Sequence, residues 1–475
     1  MQKKLDQIVQ EILAKTTPTA ADKAKMLALA SKLIQKVSVA CLEFGVKAIV
    51  RLEGSVAKDT WLSEEPDVDV FMRLPTTVPR KAMGEISLKI ARKATKGSKQ
   101  IERFAEHPYL EAFVDDTRVN IVPCYDAKPG EWLSATDRTP FHTDYVNKHL
   151  SRSQRGEVRL LKRFMKGIDV YGAEIRMGGF SGYLCELLVL QFGSFEETLL
   201  AFARHVPRRI IDIEGYYNHR ARELELLFPE HLVVVDPVDK GRNVASAVQP
   251  QRLFTFVGAT RAFLKTPGRE FFYPLKTTPL GAEELRETLA NMGSALIFLT
   301  FGKIEAVPDV LWGQLHRTRK ALRKQLELRD FAVLRDAVWS ENNAVFTMFI
   351  FELEKRVLPL AKKHLGPPLE REKECESFLA KYIDNSEVIV GPYIEEGRWM
   401  VEVRRKVTDA AEFLRIKLGS GGRDIGIANL IAQVLQKDFL VLTGEDIIEH
   451  YVYNEGFAVF LTSFLSGKPS WLETS

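Results

Sequence analysis

Apolar and polar positions alternate with a period of two in several short stretches between residues 47 and 124, the pattern of half-buried strands. Ala48-Ile49-Val50-Arg51-Leu52 is one such run, followed by Gly54-Ser55, and Asp67-Val68-Asp69-Val70 is a second. Successive strand side chains point to opposite faces, so Asp67 and Asp69 look one way while Val68 and Val70 look into a core. Tyr109-Leu110-Glu111-Ala112-Phe113-Val114, the polar turn Asp115-Asp116-Thr117-Arg118 and Val119-Asn120-Ile121-Val122-Pro123-Cys124 predict a β-hairpin. Residues 1–45 read as two helices broken at Pro18-Thr19, and a further helix is predicted from about Pro79 to Lys93.

From about 149 to 265 the pattern turns helical. Val158-Arg159-Leu160-Leu161-Lys162-Arg163-Phe164-Met165 and Ser181-Gly182-Tyr183-Leu184-Cys185-Glu186-Leu187-Leu188 both read as helix starts with an apolar stripe. Pro267-Gly268 marks a boundary. Beyond it, strand-like runs at 294–301, 344–351 and 399–403 alternate with charged helices. The chain is therefore expected to be a multidomain α/β plus α+β protein. A mixed α/β catalytic module spans 1–148, a helical central domain 149–268, and an α+β body and tail 269–475. No internal repeat or low-complexity segment interrupts it.

Composition narrows the class. Apolar content of 45% and charged content of 27% are those of a globular protein. No apolar run approaches the roughly 20 residues needed to cross a bilayer, and Met1-Gln2-Lys3-Lys4-Leu5-Asp6 lacks the apolar core of a signal peptide. Four scattered cysteines (Cys41, Cys124, Cys185, Cys375) give neither a zinc pattern nor a disulfide framework. These features predict a cytoplasmic protein without a membrane partner. The net charge of +4 says little, but its distribution says more. Basic clusters stand at Arg92-Lys93, Lys96 and Lys99; at Arg152, Arg155, Arg159, Lys162, Arg163 and Lys166; at Arg204, Arg208 and Arg209; and at Arg317, Arg319, Lys320, Arg323 and Lys324. Such stripes on a nearly neutral chain read either as a phosphate-backbone footprint or as solvated helix faces.

The chemistry centres on Asp67 and Asp69. Two carboxylates on one face repel unless a cation lies between them, and hard divalent ions favour carboxylate oxygens together with substrate phosphates. A Gly-Ser turn nearby can offer backbone N–H groups to the same phosphates. A solvated strand face is the competing account. The apolar residues interleaved with the pair favour metal-dependent phosphoryl or nucleotidyl transfer.

Further motifs occur in order along the chain: Gly54-Ser55 with Thr60-Trp61-Leu62 and Asp67-Val68-Asp69-Val70-Phe71; Glu106-His107-Pro108-Tyr109; Val122-Pro123-Cys124-Tyr125; Asp137-Arg138-Thr139-Pro140-Phe141-His142. Then come Val158-Arg159-Leu160-Leu161-Lys162, Tyr171-Gly172-Ala173-Glu174, Gly179-Phe180-Ser181-Gly182-Tyr183-Leu184-Cys185-Glu186-Leu187, Val235-Asp236-Pro237-Val238-Asp239 with Arg242-Asn243-Val244-Ala245, and Gly397-Arg398-Trp399. With these the chain resembles the archaeal-type, class I CCA-adding enzymes, tRNA nucleotidyltransferases of the DNA polymerase β-like superfamily. The resemblance implies a polymerase β-like head and template-free addition of C, C and A to the 3′ end of tRNA from CTP and ATP. It also implies two Mg²⁺ ions held by Asp67 and Asp69. Gly54 and Ser55 would contact the triphosphate; Lys58, Thr139, His142, Lys162, Tyr171 and Ser181 would line the nucleotide site. Arg242 would read the Watson–Crick edge of the incoming base. The implied partner is the acceptor stem and top half of tRNA, met by the basic helices of the C-terminal half, with a homodimer compatible with it.

The individual residues also have plainer accounts. Lys162 alone reads as a solvated helix residue, Tyr171 as a core aromatic, and His142 as the cap of a local turn. Gly179-Phe180-Ser181-Gly182 is not a hydrolase elbow, because Tyr183 stands where glycine is needed. Gly419-Ser420-Gly421-Gly422 lacks the Gly-Lys-Ser/Thr of a P-loop and reads as a mobile loop.

One departure matters. The family carries a third catalytic aspartate just before Val-Pro-Cys-Tyr, where this chain has Asn120. An amide is a weaker, neutral metal ligand and cannot take a proton. Asp116, four residues away along the strand or roughly 13 Å, does not replace it. A variant that works with two carboxylates, an inactivating substitution and a deamidation-prone site are the three readings. The rival functions are therefore a poly(A)-type polymerase of the same superfamily and a tRNA-binding homologue with impaired catalysis. The large basic C-terminal half argues against nucleotidyl transfer to a small antibiotic.

Overall fold

Pro18 and Thr19 end one helix and begin the next because Thr19 is a capping residue. Its hydroxyl accepts from the Asp22 amide while the Asp22 carboxylate accepts from the Thr19 amide, a reciprocal capping box. α1 (Gln2–Thr16) and α2 (Ala20–Glu43) flank it. The structure, a computed structural model, describes residues 2–104, 107–204, 207–340 and 346–472. It divides into two compact units, residues 1–276 with 468–475 and residues 277–467. The sequence boundary at Pro267-Gly268 falls inside the first unit.

In the first unit, β1 (Ile49–Glu53), a one-turn α3 (Gly54–Ala57), β2 (Asp67–Leu74), α4 (Arg80–Ala94), β3 (Lys99–Phe104), β4 (Pro108–Val114) and β5 (Thr117–Tyr125) form a sheet ordered β1-β2-β5-β4-β3. β2 and β5 are parallel, and the other pairs are antiparallel. The predicted hairpin is β4–β5, turned by Asp115 and Asp116 at φ 49° and 59°. Two consecutive left-handed residues match the twist of a tight hairpin, and aspartate tolerates that conformation better than most side chains. Val68, Val70, Met72 and Leu74 of β2 pack with Val119 and Ile121 of β5 against α2 and α4. The opposite face carries the polar residues.

The chain then forms α5 (Thr139–His149), α6 (Arg152–Gly167), α7 (Gly182–Phe192), α8 (Phe195–Ala203), β6 (Arg209–Ile211), α9 (Ala221–Leu227), β7 (Leu232–Asp236), β8 (Asp239–Asn243) and α10 (Pro250–Lys265). Two expectations are corrected here. The 149–265 stretch is not wholly helical, because β6, β7 and β8 make a three-stranded sheet. Its centre is the β-branched run Val233-Val234-Val235, buried on both sides and too short for a helix. Nor is Val158 near a helix start. α6 opens at Ser151, whose hydroxyl accepts from the Gln154 amide in a second capping box.

The core of this region is aromatic. Phe164 is fully buried and meets Phe195, Phe263 and Phe272 with ring centroids 5.6, 5.4 and 5.5 Å away, all edge-on.

In the second unit, β9 (Ala295–Gly302), β10 (Val333–Trp339), β11 (Phe346–Leu353) and, after β12 (Ala361–Pro368), β13 (Val388–Glu395) and β14 (Arg398–Arg404), β15 (Leu440–Thr443) give two antiparallel sheets, β10-β11-β9-β15 and β12-β14-β13. The near-continuous apolar runs of β9 and β11 arise because helices cover both faces. Ile297, Leu299, Phe349 and Phe351 face one core; Leu296, Phe298, Met348 and Ile350 face another. The runs expected at 294–301, 344–351 and 399–403 coincide with β9, β11 and β14, with 344 and 345 outside the described residues. Gly419-Ser420-Gly421-Gly422 closes the helix Ala410–Gly419 and leads into a short 3₁₀ turn.

Phe164→Ala is expected to destabilise the first unit by about 3–5 kcal/mol. Calorimetry should show its transition moving down while that of residues 277–467 stays in place.

Candidate active site

β2 presents Asp67 and Asp69 on the face away from its core, and the flanking register surrounds them. Asp69 lies opposite Glu53 of β1 on one side and Asn120 of β5 on the other, while Asp67 lies opposite Arg118. The Arg118 guanidinium donates to Asp67 Oδ2 at 2.9 Å, and the Ser55 hydroxyl donates to Asp67 Oδ1 at 3.3 Å. Asn120 Nδ2 donates to Asp69 Oδ1 at 2.9 Å. Burial first, and then the neighbouring Asp67 charge, push the Asp69 carboxyl up to about 7. Gly54, at φ +72°, allows Asp69 to come this close: a Cβ there would stand 2.0 Å from Asp69 Oδ2. The third position of the expected carboxylate triad is an amide, and among the described residues no three His, Cys, Asp or Glu side chains gather as a metal site.

The phosphate-binding candidates gather beyond this face. Lys58, one residue past α3, donates to Glu186 Oε2 of α7 at 2.5 Å. Lys162 of α6 donates to the Thr60 carbonyl and hydroxyl, both at 3.1 Å, and to Glu186 Oε1 at 3.4 Å. Lys162 is thus buried, which corrects its reading as a solvated helix residue. Arg159, one turn earlier, is also buried and bonds the Trp61 carbonyl and the Asp59 side chain. The α6 cluster is therefore partly an internal clamp rather than a continuous surface stripe. Ser181 caps α7 by accepting from the Leu184 amide. Tyr171 packs at the edge of the helical core, and its hydroxyl and Lys162 Nζ both lie against Gly182, 2.9 and 3.4 Å from where a Cβ would be.

A second cluster surrounds Asp236 at the end of β7. His142 Nε2 lies 2.9 Å from Asp236 Oδ2, the Tyr183 hydroxyl donates to Oδ1 at 3.2 Å, and Arg242 donates to Oδ2 at 2.6 Å. His142 and Tyr183 stack with centroids 4.0 Å apart. Burial pulls His142 below its ordinary value although Asp236 opposes that pull, and the ring bonds Asp236 across 94 positions instead of capping a local turn. Burial alone would raise the Asp236 carboxyl, but the His142 hydrogen bond and charge, and then the Arg242 charge, outweigh it and hold it at about 2. Thr139 is half-buried one turn before His142 on α5. Lys58 joins the two groups, 5.6 Å from the Tyr183 ring. Of the motif Glu106-His107-Pro108-Tyr109, Glu106 lies outside the described residues, and His107 is buried edge-on to Tyr125.

Three family models tile the chain: a nucleotidyltransferase domain over residues 34–142, the second domain of tRNA nucleotidyltransferase over 156–273, and the C-terminal domain of CCA-adding enzyme over 292–444. The CCA-adding enzyme of Methanosarcina barkeri is 35% identical over 96% of this chain and 97% of its own length. That of Methanosarcina acetivorans is 37% identical over 86% and 88%, and that of Methanothermobacter thermautotrophicus 35% over 96% and 97%. The chain belongs to the CCA-adding enzyme family. It is a nucleotidyltransferase of polymerase β-like fold, as the sequence motifs implied.

In a CCA-adding enzyme, Glu186, Asp236 and Tyr183 stand inside the sequence motifs, but the motifs assign them no role. The signal for Glu186 is a lone carboxylate inside an otherwise apolar helix stripe. For Asp236 nothing local points to its partners, because His142 lies 94 positions away in sequence.

Gly54→Ala is expected to lower nucleotide incorporation by at least about 100-fold, since a displacement near 1 Å at reacting groups costs that much. Comparing its melting temperature with its activity separates misplacement of Asp69 from unfolding. A pH effect follows from Asp69. Between 3.8 and about 7 the folded, metal-free chain keeps a proton that the unfolded chain has released, so its stability falls as pH rises through that window. Asp69→Asn should flatten this fall in denaturation curves recorded across the same range.

Proposed function

We propose that this chain adds C, C and A in turn to the 3′ end of tRNA, using CTP and ATP with two Mg²⁺ ions. The observation that carries the proposal is likeness to curated CCA-adding enzymes along nearly the full length of both partners. The carboxylate face supports it. Asp67 and Asp69 offer hard oxygens, and the Gly54 cradle keeps one side of Asp69 free of a side chain. Bound Mg²⁺ would supply charge neutralisation for the triphosphate and activation of the terminal ribose hydroxyl.

This chain's own residues then divide the work. Asp67 and Asp69 hold negative charge where the cations bind. Asn120, turned about its terminal torsion, presents Oδ1 in place of the amide that now donates to Asp69. Ser55, Lys58, Lys162, Tyr171 and the capped start of α7 at Ser181 face the triphosphate, where unpaired helix N–H groups favour anions. Thr139, His142 and Arg242 stand towards the base. In this reading residues 1–148 carry the chemistry, 149–268 select the nucleotide and 269–475 engage tRNA. On the helix Pro308–Glu327, Arg319 and Arg323 are answered by Asp336, while Arg317, Lys320 and Lys324 are exposed to meet phosphates. Among the described residues no helix is long and apolar enough to cross a membrane.

The test is incorporation of labelled CTP and ATP into tRNA lacking its CCA end, with Mg²⁺, for the chain as it stands and for Asn120→Asp. Three additions followed by a stop are expected from both, the variant being faster on the order of tenfold through the restored carboxylate. Unlimited extension with ATP alone would indicate a poly(A)-type enzyme. No incorporation by either protein would leave a tRNA-binding homologue.

A further inference from the structure

Glu186 is a fully buried carboxylate with no part in the chemistry proposed so far, and it stands between two cations. Its Oε2 accepts from Lys58 Nζ at 2.5 Å, and its Oε1 accepts from the Thr60 hydroxyl at 2.5 Å and from Lys162 Nζ at 3.4 Å. Glu186 itself stands on α7, and its partners come from the segment after α3 and from α6. Burial alone would raise the Glu186 carboxyl, yet the two ammoniums outweigh it and hold the group below its ordinary value. Burial likewise pulls Lys162 towards neutrality, and Glu186 opposes that pull.

If stability were the only purpose, this would be a poor arrangement. Buried ion pairs are often no better than apolar residues of similar size, and here one carboxylate faces two ammoniums. With all three ionised, the cluster keeps an excess positive charge in a dry setting, which calls for an anion. Lys162 Nζ and the Tyr171 hydroxyl also border Gly182 at the first turn of α7, where side-chain bulk is missing. Helix N–H groups, an ammonium and a phenol therefore converge at one point. The other charged and titratable groups around it include Asp67, Glu65 and Lys166 near Tyr171, Asp69 and His142 near Lys58, Asp236 and Arg242 near Tyr183, and the Cys185 thiol.

We infer that Glu186 is a positioning residue for the nucleotide: it holds Lys58 and Lys162 together at the start of α7, so that their surplus charge meets the triphosphate. The inference rests on the function proposed above. Without the carboxylate, two buried ammoniums repel each other, and at least one turns away or loses its proton. The nucleotide site then loses its arrangement although no phosphate-contacting residue has been removed.

The experiment is calorimetric titration of the full-length protein with CTP, with and without Mg²⁺, for Glu186→Gln, Lys162→Met and the double variant. Glu186→Gln is expected to weaken CTP binding about ten- to hundredfold, and the same change in the Lys162→Met background to cost markedly less, because coupled residues are not additive. A purely structural role would lower the melting temperature of Glu186→Gln and leave its CTP binding at the parental level; that result, or losses that simply multiply in the double variant, overturns the inference. Should Glu186→Gln fail to fold, Thr60→Val decides. It leaves every charge in place but removes two bonds of the cluster, from the Thr60 hydroxyl to Oε1 and from Lys162 Nζ to that hydroxyl, so a several-fold weakening supports the inference and unchanged binding overturns it. Absence of CTP binding by the parental protein would instead overturn the proposed function itself.

Discussion

Two carboxylates placed on one partly dry strand face need positive charge nearby, and much of the first unit is arranged around that requirement. Asp67 receives Arg118 from the neighbouring parallel strand, and Asp69 receives the Asn120 amide from the same strand. Neither contact would exist without the β2–β5 register that sets Asp67 beside Arg118 and Asp69 beside Asn120. That register depends in turn on Val68, Val70, Val119 and Ile121 filling the core behind, since a one-residue slip would reverse every side chain. Lys58 supplies a further charge from beyond the Gly54 turn, and Glu186 of a helix more than a hundred residues later holds it. The site and the packing of the helical region behind it are thus one electrostatic arrangement.

The sequence made the strand face readable because its information is local. Alternation placed both aspartates on one side, and the hairpin and the helix breaks followed from Asp115-Asp116 and Pro18-Thr19. Ser151-x-x-Gln154 was an equally local signal for the start of α6 and went unread beneath the stronger apolar stripe of Val158–Met165. Other features were hidden for physical reasons. A short valine run such as 232–235 has no period of its own, so a strand within a helical region could not be distinguished. The burial of Lys162 and Arg159 depends on which face of α6 meets the Thr60 loop, a tertiary fact that basic composition cannot show. Asp236 looks like a turn residue until His142, 94 positions earlier, is found bonded to it.

Asn120 alters the charge of the strand face without altering its hydrogen bonding. It keeps the hydrogen-bonding capacity of the position and loses its charge, so the strand face retains its geometry while its negative potential is reduced. Because burial already raises Asp69, a third carboxylate beside it would raise both further unless cations were present. The amide therefore suits the metal-free fold better than aspartate would, at a cost to cation affinity.

Nucleotide choice depends on a comparable electrostatic constraint. In the proposed reading one arginine serves both C and A without a template, and the guanidinium is a donor-only group. Cytosine and adenine each present an unprotonated ring nitrogen on the pairing edge, flanked by an amino group; uracil and guanine present a ring N–H there. A donor fixed at that nitrogen therefore accepts the first two bases and leaves an unsatisfied donor pair against the others, the kind of mismatch that discriminates strongly when buried. Fixing is the essential condition, because a free arginine would swing to the carbonyls of uracil or guanine. Asp236 supplies it by tying one Arg242 nitrogen at 2.6 Å, while His142 and Tyr183 hold the aspartate from its other sides. On this argument selectivity resides less in Arg242 than in the buried carboxylate that limits where Arg242 can point.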